Sequence, residues 1–380
     1  MKKLLKILIV SILAICSVFS LMACTPSNKG DKDPGLQMYL NNEKGYYVIS
    51  GYVCDGETTK VTIPAEKNGY PIGEIKSNVF NGNSVITEIV VPTSVVKINE
   101  SAFAGIKKLA KITLPFVGKT ANADSYFNQT ADAEDKSVDV ERTFAYIFGT
   151  ESFEGAVPVT ANYNAGESNV KTYYAPITLK EVTIETKDVY GLPMYAFDSN
   201  PIIEKINLDE KIDKIGDFAF NGCQLLKNIT ISADVTYIGK NAFYNAKVLN
   251  DGLVFATKEN APALTIGEYA FYGAGLDQFV IPERTISIGN YAFATSTINK
   301  VTISMDIPAY AFMDCVNLEK VVITPSVKNI GVYAFEGCIS LSTFGVETIT
   351  APNTIDLSGI ETLGAMSFAN LSEFVTYNVT

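Results

Sequence analysis

The residues best equipped for chemistry are a run of carboxylates, Asp132, Glu134, Asp135, Asp139 and Glu141, and six cysteines. Two carboxylates held about 5–10 Å apart on rigid elements can hydrolyse a glycoside, and a carboxylate-rich loop can hold calcium. This run lies in polar sequence that offers no rigid element, and it lacks the Asp-x-Asp-x-Asp-Gly spacing of a calcium loop. It reads as a solvated face, with a carboxylate-dependent hydrolase as the remote alternative. The chain contains no histidine, which removes Ser-His-Asp and Cys-His nucleophiles, His-ligated zinc or haem, and an imidazole base near neutral pH. No Cys-x-x-Cys pair suggests zinc. No Gly-rich phosphate loop follows a strand signal. The expectation is a protein with no catalytic residue, no metal and no cofactor.

The elements that carry the remaining residues begin with an export signal. Lys2, Lys3 and Lys6 precede an apolar stretch from Ile7 to Phe19, and Leu21-Met22-Ala23-Cys24 closes it. That ending is similar to the lipobox of bacterial lipoproteins, with Met22 departing from the usual choice. The resemblance implies that residues 1–23 are removed and that Cys24 becomes the lipid-modified first residue. The other reading is an uncleaved anchor helix, although about 17 apolar residues is short for a bilayer span. Residues 24–35 are polar and rich in Pro and Gly, as in a flexible tether. Loss of the leader removes three lysines and no acid, taking the formal charge from −11 to −14. Such a body repels phosphate backbones, so no nucleic-acid partner is expected, and contact with the membrane falls to the lipid anchor.

Beyond the tether one unit recurs. Ala-Phe appears at Ala102-Phe103, Ala196-Phe197, Ala219-Phe220, Ala242-Phe243, Ala270-Phe271, Ala292-Phe293, Ala311-Phe312 and Ala334-Phe335, with relatives Val79-Phe80 and Ser367-Phe368. The cleanest copy runs from Leu318 through Val321, Ile323, Pro325, Val327, Ile330 and Gly331 to Ala334, Phe335 and Cys338. Val321 and Ile323 alternate with outward positions, as in a strand with one face buried. Val327, Ile330, Ala334 and Phe335 mark a returning segment, with Gly331 available for a tight turn. One such coil cannot bury its own apolar face, so coils must stack and build a continuous parallel sheet.

The unit resembles the leucine-rich repeats of the BspA-like bacterial surface-antigen family. The resemblance implies a β-rich leucine-rich-repeat solenoid, of α/β repeat type, with a parallel ribbon of about twelve short strands. The strands centre near Thr62, Val90, Thr113, Thr183, Asn207, Thr230, Val254, Val280, Thr302, Val322, Gly345 and Asn378. Residues 36–57 look like an N-terminal hairpin cap, and residues 58–380 form the solenoid, interrupted by an insertion at 116–176. That insertion, with Phe144-Ala-Tyr-Ile-Phe148 at its centre, reads either as a surface loop seated on the sheet edge or as a ligand-contacting elaboration. The strand near Asn378 is expected at an exposed edge, unless residues 347–357 fold back over it.

Cys223, Cys315 and Cys338 all fall three residues after the repeat Phe, where other coils carry Asn83, Ile106, Asn200, Ala246, Ala274 or Ser296. This is a slot for a small buried side chain, and a Cys315 to Cys338 disulfide is within reach of adjacent coils. Outward on the ribbon stand the candidate ligand-facing residues Glu88, Lys111, Glu181, Lys205, Asn207, Gln278, Lys300 and Lys320. Their β-branched neighbours are also simply good strand formers. The resemblance implies a non-catalytic protein-binding module on the bacterial envelope, with extracellular or envelope proteins as partners and adhesion as its use. The alternative is a structural envelope protein that self-assembles through its edge strand and sheet.

Overall fold

The computed structural model describes residues 35–121, 140–162, 170–277, 279–347, 353–371 and 376–378. The leader, Cys24, Gln278 and the acidic run up to Asp139 lie outside these residues. The alternation read from the sequence forms the first wall of each coil. In Lys300–Ile303, Val301 and Ile303 are buried while Lys300 and Thr302 are exposed. Seven parallel strands, Lys60–Thr62, Glu88–Val90, Lys111–Leu114, Glu181–Ile184, Lys205–Leu208, Asn228–Ile231 and Leu253–Phe255, make one sheet. Five more, Lys300–Ile303, Lys320–Ile323, Thr343–Gly345, Thr354–Asp356 and Thr376–Asn378, make another.

Two expectations are corrected here. Among the described residues no ladder strand forms around Val280. Phe279 and Ile281 still point into the core, but the Phe279 N–H donates back to the Leu276 carbonyl instead of across to a neighbouring coil. The ribbon is therefore two sheets and not one. The stretch read as a long loop over the final edge instead supplies a strand of its own, Thr354–Asp356, which pairs between Thr343–Gly345 and Thr376–Asn378.

The returning segment builds a second wall of short parallel strands, from Tyr190–Leu192 through Ile212–Ile215, Tyr237–Ile238 and Leu264–Ile266 to Thr285–Ile288. The Ala-Phe segments build a third. There the amides of Phe197, Phe220 and Phe243 donate to the carbonyls of Ala219, Ala242 and Ala270 in the following coil, at 2.7–2.8 Å. Inside, the repeat Phe rings stack from Phe197 through Phe335 to Phe368 with centroids 5.0–5.5 Å apart. Burying each ring contributes roughly 1.5–3 kcal/mol. The glycine after the second-wall isoleucine serves close approach and not the expected turn. A Cβ on Gly216, Gly239, Gly289 or Gly331 would lie within 3.0 Å of backbone atoms of the preceding coil.

At the N-terminal end the antiparallel hairpin Leu36–Asn41/Tyr46–Tyr52 continues the second wall by pairing in parallel with Tyr70–Ile75. Tyr52 lies 5.3 Å from Phe80 and closes the ring stack. Buried Glu74 ties this cap down, accepting from Lys76 at 2.8 Å and Asn99 at 2.9 Å, with Lys97 at 3.4 Å. Burial alone would raise its pKa, but these partners outweigh it and hold the carboxyl at about 2.

The insertion is more deeply built in than either reading supposed. Phe144, Ala145, Tyr146, Ile147 and Phe148 form one turn of 3-10 helix and are all buried. Tyr146 and Ile147 carbonyls accept from the Ser101 and Phe103 amides, and the Phe144 amide donates to Ala196. Phe144 then meets Phe197 at 4.9 Å. This turn is the missing rung of the third wall. The antiparallel hairpin Ala156–Asn162/Val170–Pro176 packs outside it.

Candidate binding surface

Parallel pairing in strict register puts equivalent residues of successive coils side by side, about 4.8 Å apart. In the seven-stranded sheet the outward column runs Lys60, Glu88, Lys111, Glu181, Lys205, Asn228. The alternation of sign is used. Lys60 pairs with Glu88 at 2.6 Å, and Glu181 pairs with both Lys111 and Lys205 at 3.0 Å. Asn207 donates to the same Glu181 at 3.0 Å and to the Thr183 hydroxyl at 3.1 Å. Hydrogen bonds from Lys205, Lys111 and Asn207 hold the Glu181 carboxyl at about 2. One position earlier a second ladder forms, with Glu204 between Lys180 at 3.6 Å and Lys227 at 2.7 Å. Among the candidates, Lys111, Glu181, Lys205 and Asn207 therefore satisfy one another, and Glu88 is taken up by Lys60.

The five-stranded sheet is arranged differently. Its column runs Lys300, Lys320, Thr343, Thr354, Thr376. Two ammonium groups stand on adjacent strands, and among the described residues neither has a carboxylate within ion-pair distance. Thr302 is exposed beside Lys300. In the preceding coil Val280 is 70% exposed, and Val254, on the last strand of the first sheet, is 50% exposed. Glu141, the member of the acidic run inside the described residues, is held by Lys119 at 2.6 Å, so it offers no open carboxylate.

Residues 57–158, 167–256 and 264–376 match the BspA type leucine rich repeat region, in six copies. The chain belongs to the BspA-type leucine-rich-repeat family. Solved structures similar to this BspA-type chain include a leucine rich cell surface protein from Faecalibacterium prausnitzii. It is 19% identical over 89% of this chain and 85% of that one, with a TM-score of 0.35. A leucine-rich repeat protein from Bacteroides ovatus is 16% identical over 92% and 99%, also at a TM-score of 0.35. The T. pallidum leucine rich repeat protein is 18% identical over 82% and 91%, at 0.23. No curated protein matches the chain.

In this BspA-type solenoid the cysteine slot is structural. Cys223, Cys315 and Cys338 are free and buried, so the Cys315 to Cys338 bridge is not formed. Each thiol donates to the repeat Phe carbonyl of the coil before, at Phe197, Phe293 and Phe312, at 3.0–3.1 Å. Burial pushes all three thiols up, Cys315 to about 12, which keeps them protonated and unreactive. Cys54 lies outside the slot, beyond the cap hairpin.

One recurrent feature escaped sequence reasoning. The residue two before and the residue two after each repeat Phe both adopt positive φ, from Asn78 and Gly82 around Phe80 to Met366 and Asn370 around Phe368. The recurrent glycine after the Phe, at Gly82, Gly105, Gly222, Gly273 and Gly337, was the available signal. Before the Phe, four consecutive coils place Tyr269, Tyr291, Tyr310 and Tyr333 in this left-handed region, at φ 55–60°. A side chain there costs roughly 1–2 kcal/mol, whereas Asn, as at Asn78 and Asn241, tolerates it. Stacking of neighbouring rings returns about 0.5–1.5 kcal/mol per pair, so the backbone does not select tyrosine.

Proposed function

We propose that this chain is an exported, lipid-anchored surface protein that binds other proteins without catalysis, and that it does so with the C-terminal sheet of its ribbon. The observation that carries the reading is the pair Lys300 and Lys320, side by side in register and, among the described residues, without carboxylate partners, while every lysine of the equivalent column in the first sheet is paired with a glutamate. An acidic partner segment laid across the strands would meet two ammonium groups there and gain what Glu181 already supplies in the other sheet. Exposed Val280 and Val254, in the two coils before Lys300, would give the contact an apolar margin. Family membership supports the surface location, and repeat arrays commonly use an extended face for protein binding. The export signal and Cys24 support anchoring by lipid. Among the described residues no helix is long and apolar enough to cross a membrane.

The test has two arms. Mass spectrometry of the membrane fraction should find the mature N-terminus at Cys24 carrying acyl chains, and Cys24→Ala should lose them; an unmodified, uncleaved leader would remove the anchor. In a pull-down against envelope and matrix proteins, Lys300→Glu/Lys320→Glu should lose the captured acidic partner, while Lys60→Gln should retain it. Equal capture by both variants would sink the lysine assignment.

A further inference from the structure

The four tyrosines at left-handed positions form a surface stripe on the third wall. Their rings lie nearly parallel, with centroids 4.7 Å apart from Tyr269 to Tyr291, 4.3 Å from Tyr291 to Tyr310 and 5.2 Å from Tyr310 to Tyr333. All four are half-buried. Because the faces cover one another, the part left to solvent is a line of ring edges and phenol hydroxyls. The segments that carry them, 268–274, 290–296, 309–315 and 332–338, contain Glu268, Asp314 and Glu336 and no Lys or Arg; Lys240 of the preceding coil takes up Glu268 at 3.1 Å, which leaves Asp314 and Glu336 without a cationic partner among the described residues. A ligand for this stripe must accept hydrogen bonds at a repeat set by the coils, and it must bring positive charge.

The coil spacing narrows the choice. Two coils advance about 9.4–9.8 Å. A polyproline II helix, with three residues per turn and a rise of about 3.1 Å, advances about 9.3 Å per turn. An extended strand repeats every two residues at about 6.6–6.8 Å and falls out of step at once. Polyproline II also leaves its backbone carbonyls solvated, and proline has no N–H to compete for an acceptor. Phenol O–H groups on alternate tyrosines would donate to carbonyls one turn apart.

We propose that the stripe from Tyr269 to Tyr333 docks a proline-rich segment of a partner protein, flanked by Arg or Lys, in polyproline II conformation and aligned with the solenoid axis. The stripe lies on a different wall from Lys300 and Lys320, so this proposal does not rest on the lysine reading.

Fluorescence anisotropy of a labelled peptide of about nine prolines, three turns, with arginines at both ends tests it on the chain from residue 25 onward. Saturable binding is expected, with little binding of a Gly/Ser peptide carrying the same arginines. Tyr291→Phe/Tyr310→Phe keeps the stack and removes one donor from the alternate pair in either register, Tyr269/Tyr310 or Tyr291/Tyr333, and should weaken binding about fivefold for the one lost hydrogen bond. Tyr291→Asn/Tyr310→Asn suits the left-handed backbone, so it should stay folded by circular dichroism and yet bind as weakly. Lys300→Glu/Lys320→Glu should leave the peptide's affinity unchanged, which separates this site from the ribbon. The proposal is overturned if the polyproline peptide does not bind, if the Gly/Ser peptide binds equally, or if both tyrosine variants bind like the wild type. Tyrosine-dependent binding of a soluble glycan in place of the peptide would reassign the stripe to carbohydrate and overturn it too.

Discussion

In the seven-stranded sheet Glu181 stands between Lys111 and Lys205, and Lys60 is paired with Glu88. In the five-stranded sheet the same column begins with Lys300 beside Lys320 and continues in threonines. Both sheets rest on the same stack of Phe rings and the same inward pairs of Val, Ile and Leu. A stacked coil thus fixes what lies inside, because every ring must meet the next, but it leaves the outward column free. That column can be spent on holding neighbouring coils together or held open for another molecule. The first sheet does the former, and the second has the composition for the latter.

The comparison fails if the two halves differ in their cores, and this is where the largest effect lies. Phe220→Ala in the first half and Phe312→Ala in the second remove fully buried rings from equivalent places. Each should cost about 3–5 kcal/mol in denaturant unfolding followed by hydrogen exchange. Phe148→Ala should cost as much, because the insertion supplies a rung of the same stack. A loss below roughly 1 kcal/mol at Phe148 would return residues 144–148 to the status of a surface elaboration.

The uneven legibility of the molecule has the same physical origin. Strand positions such as Val321 and Ile323, and the Ala-Phe rungs, were readable because burial imposes a residue type at a fixed spacing. Phe144 to Phe148 were not recognised as a rung because the spacing around them is broken, although the buried aromatic types were present. The strand Thr354–Asp356 was missed because a short coil lacks most of the template. Outward pairing was only half legible. Glu88, Lys111, Glu181 and Lys205 could be placed in one column, but whether neighbouring charges meet depends on register and distance, which the sequence does not state. The left-handed positions beside each Phe were hidden wherever Tyr, Ser or Thr stood in place of Gly or Asn.

A smaller effect concerns acid. Glu181 and Glu74, both in the first half, are held at about 2 against the ordinary 4.5. A carboxyl depressed in the folded state stabilises it above the unfolded value, and that contribution disappears as pH falls from about 4.5 toward 2. Because the lysines around Glu181 are about half exposed, screening reduces the expected loss to roughly 1 kcal/mol for that site. Hydrogen exchange between pH 5 and pH 2 should therefore show protection falling first in the strands Lys111–Leu114, Glu181–Ile184 and Lys205–Leu208. Glu181→Gln should flatten that fall. Equal acid sensitivity in Lys300–Ile303 and Lys320–Ile323 would show that the ladder is not its cause.

The finest test rebuilds the pattern of one sheet in the other. Thr343 is the register partner of Lys320 on the following coil and is half-buried, so Thr343→Glu would place a carboxylate where Glu181 sits relative to Lys111. Opposite charges on neighbouring strands contribute about 0.2–1 kcal/mol, and with a half-buried lysine at the surface the gain should be a few tenths, measured as a small rise in thermal midpoint that salt reduces. The same substitution should weaken capture of an acidic partner, because Lys320 would then be occupied from within. A variant that gains stability and keeps its partner would mean that the lysines were open for some other reason. Stability gained and binding lost together would show that one column serves either cohesion or recognition, and that the protein has divided its length between them.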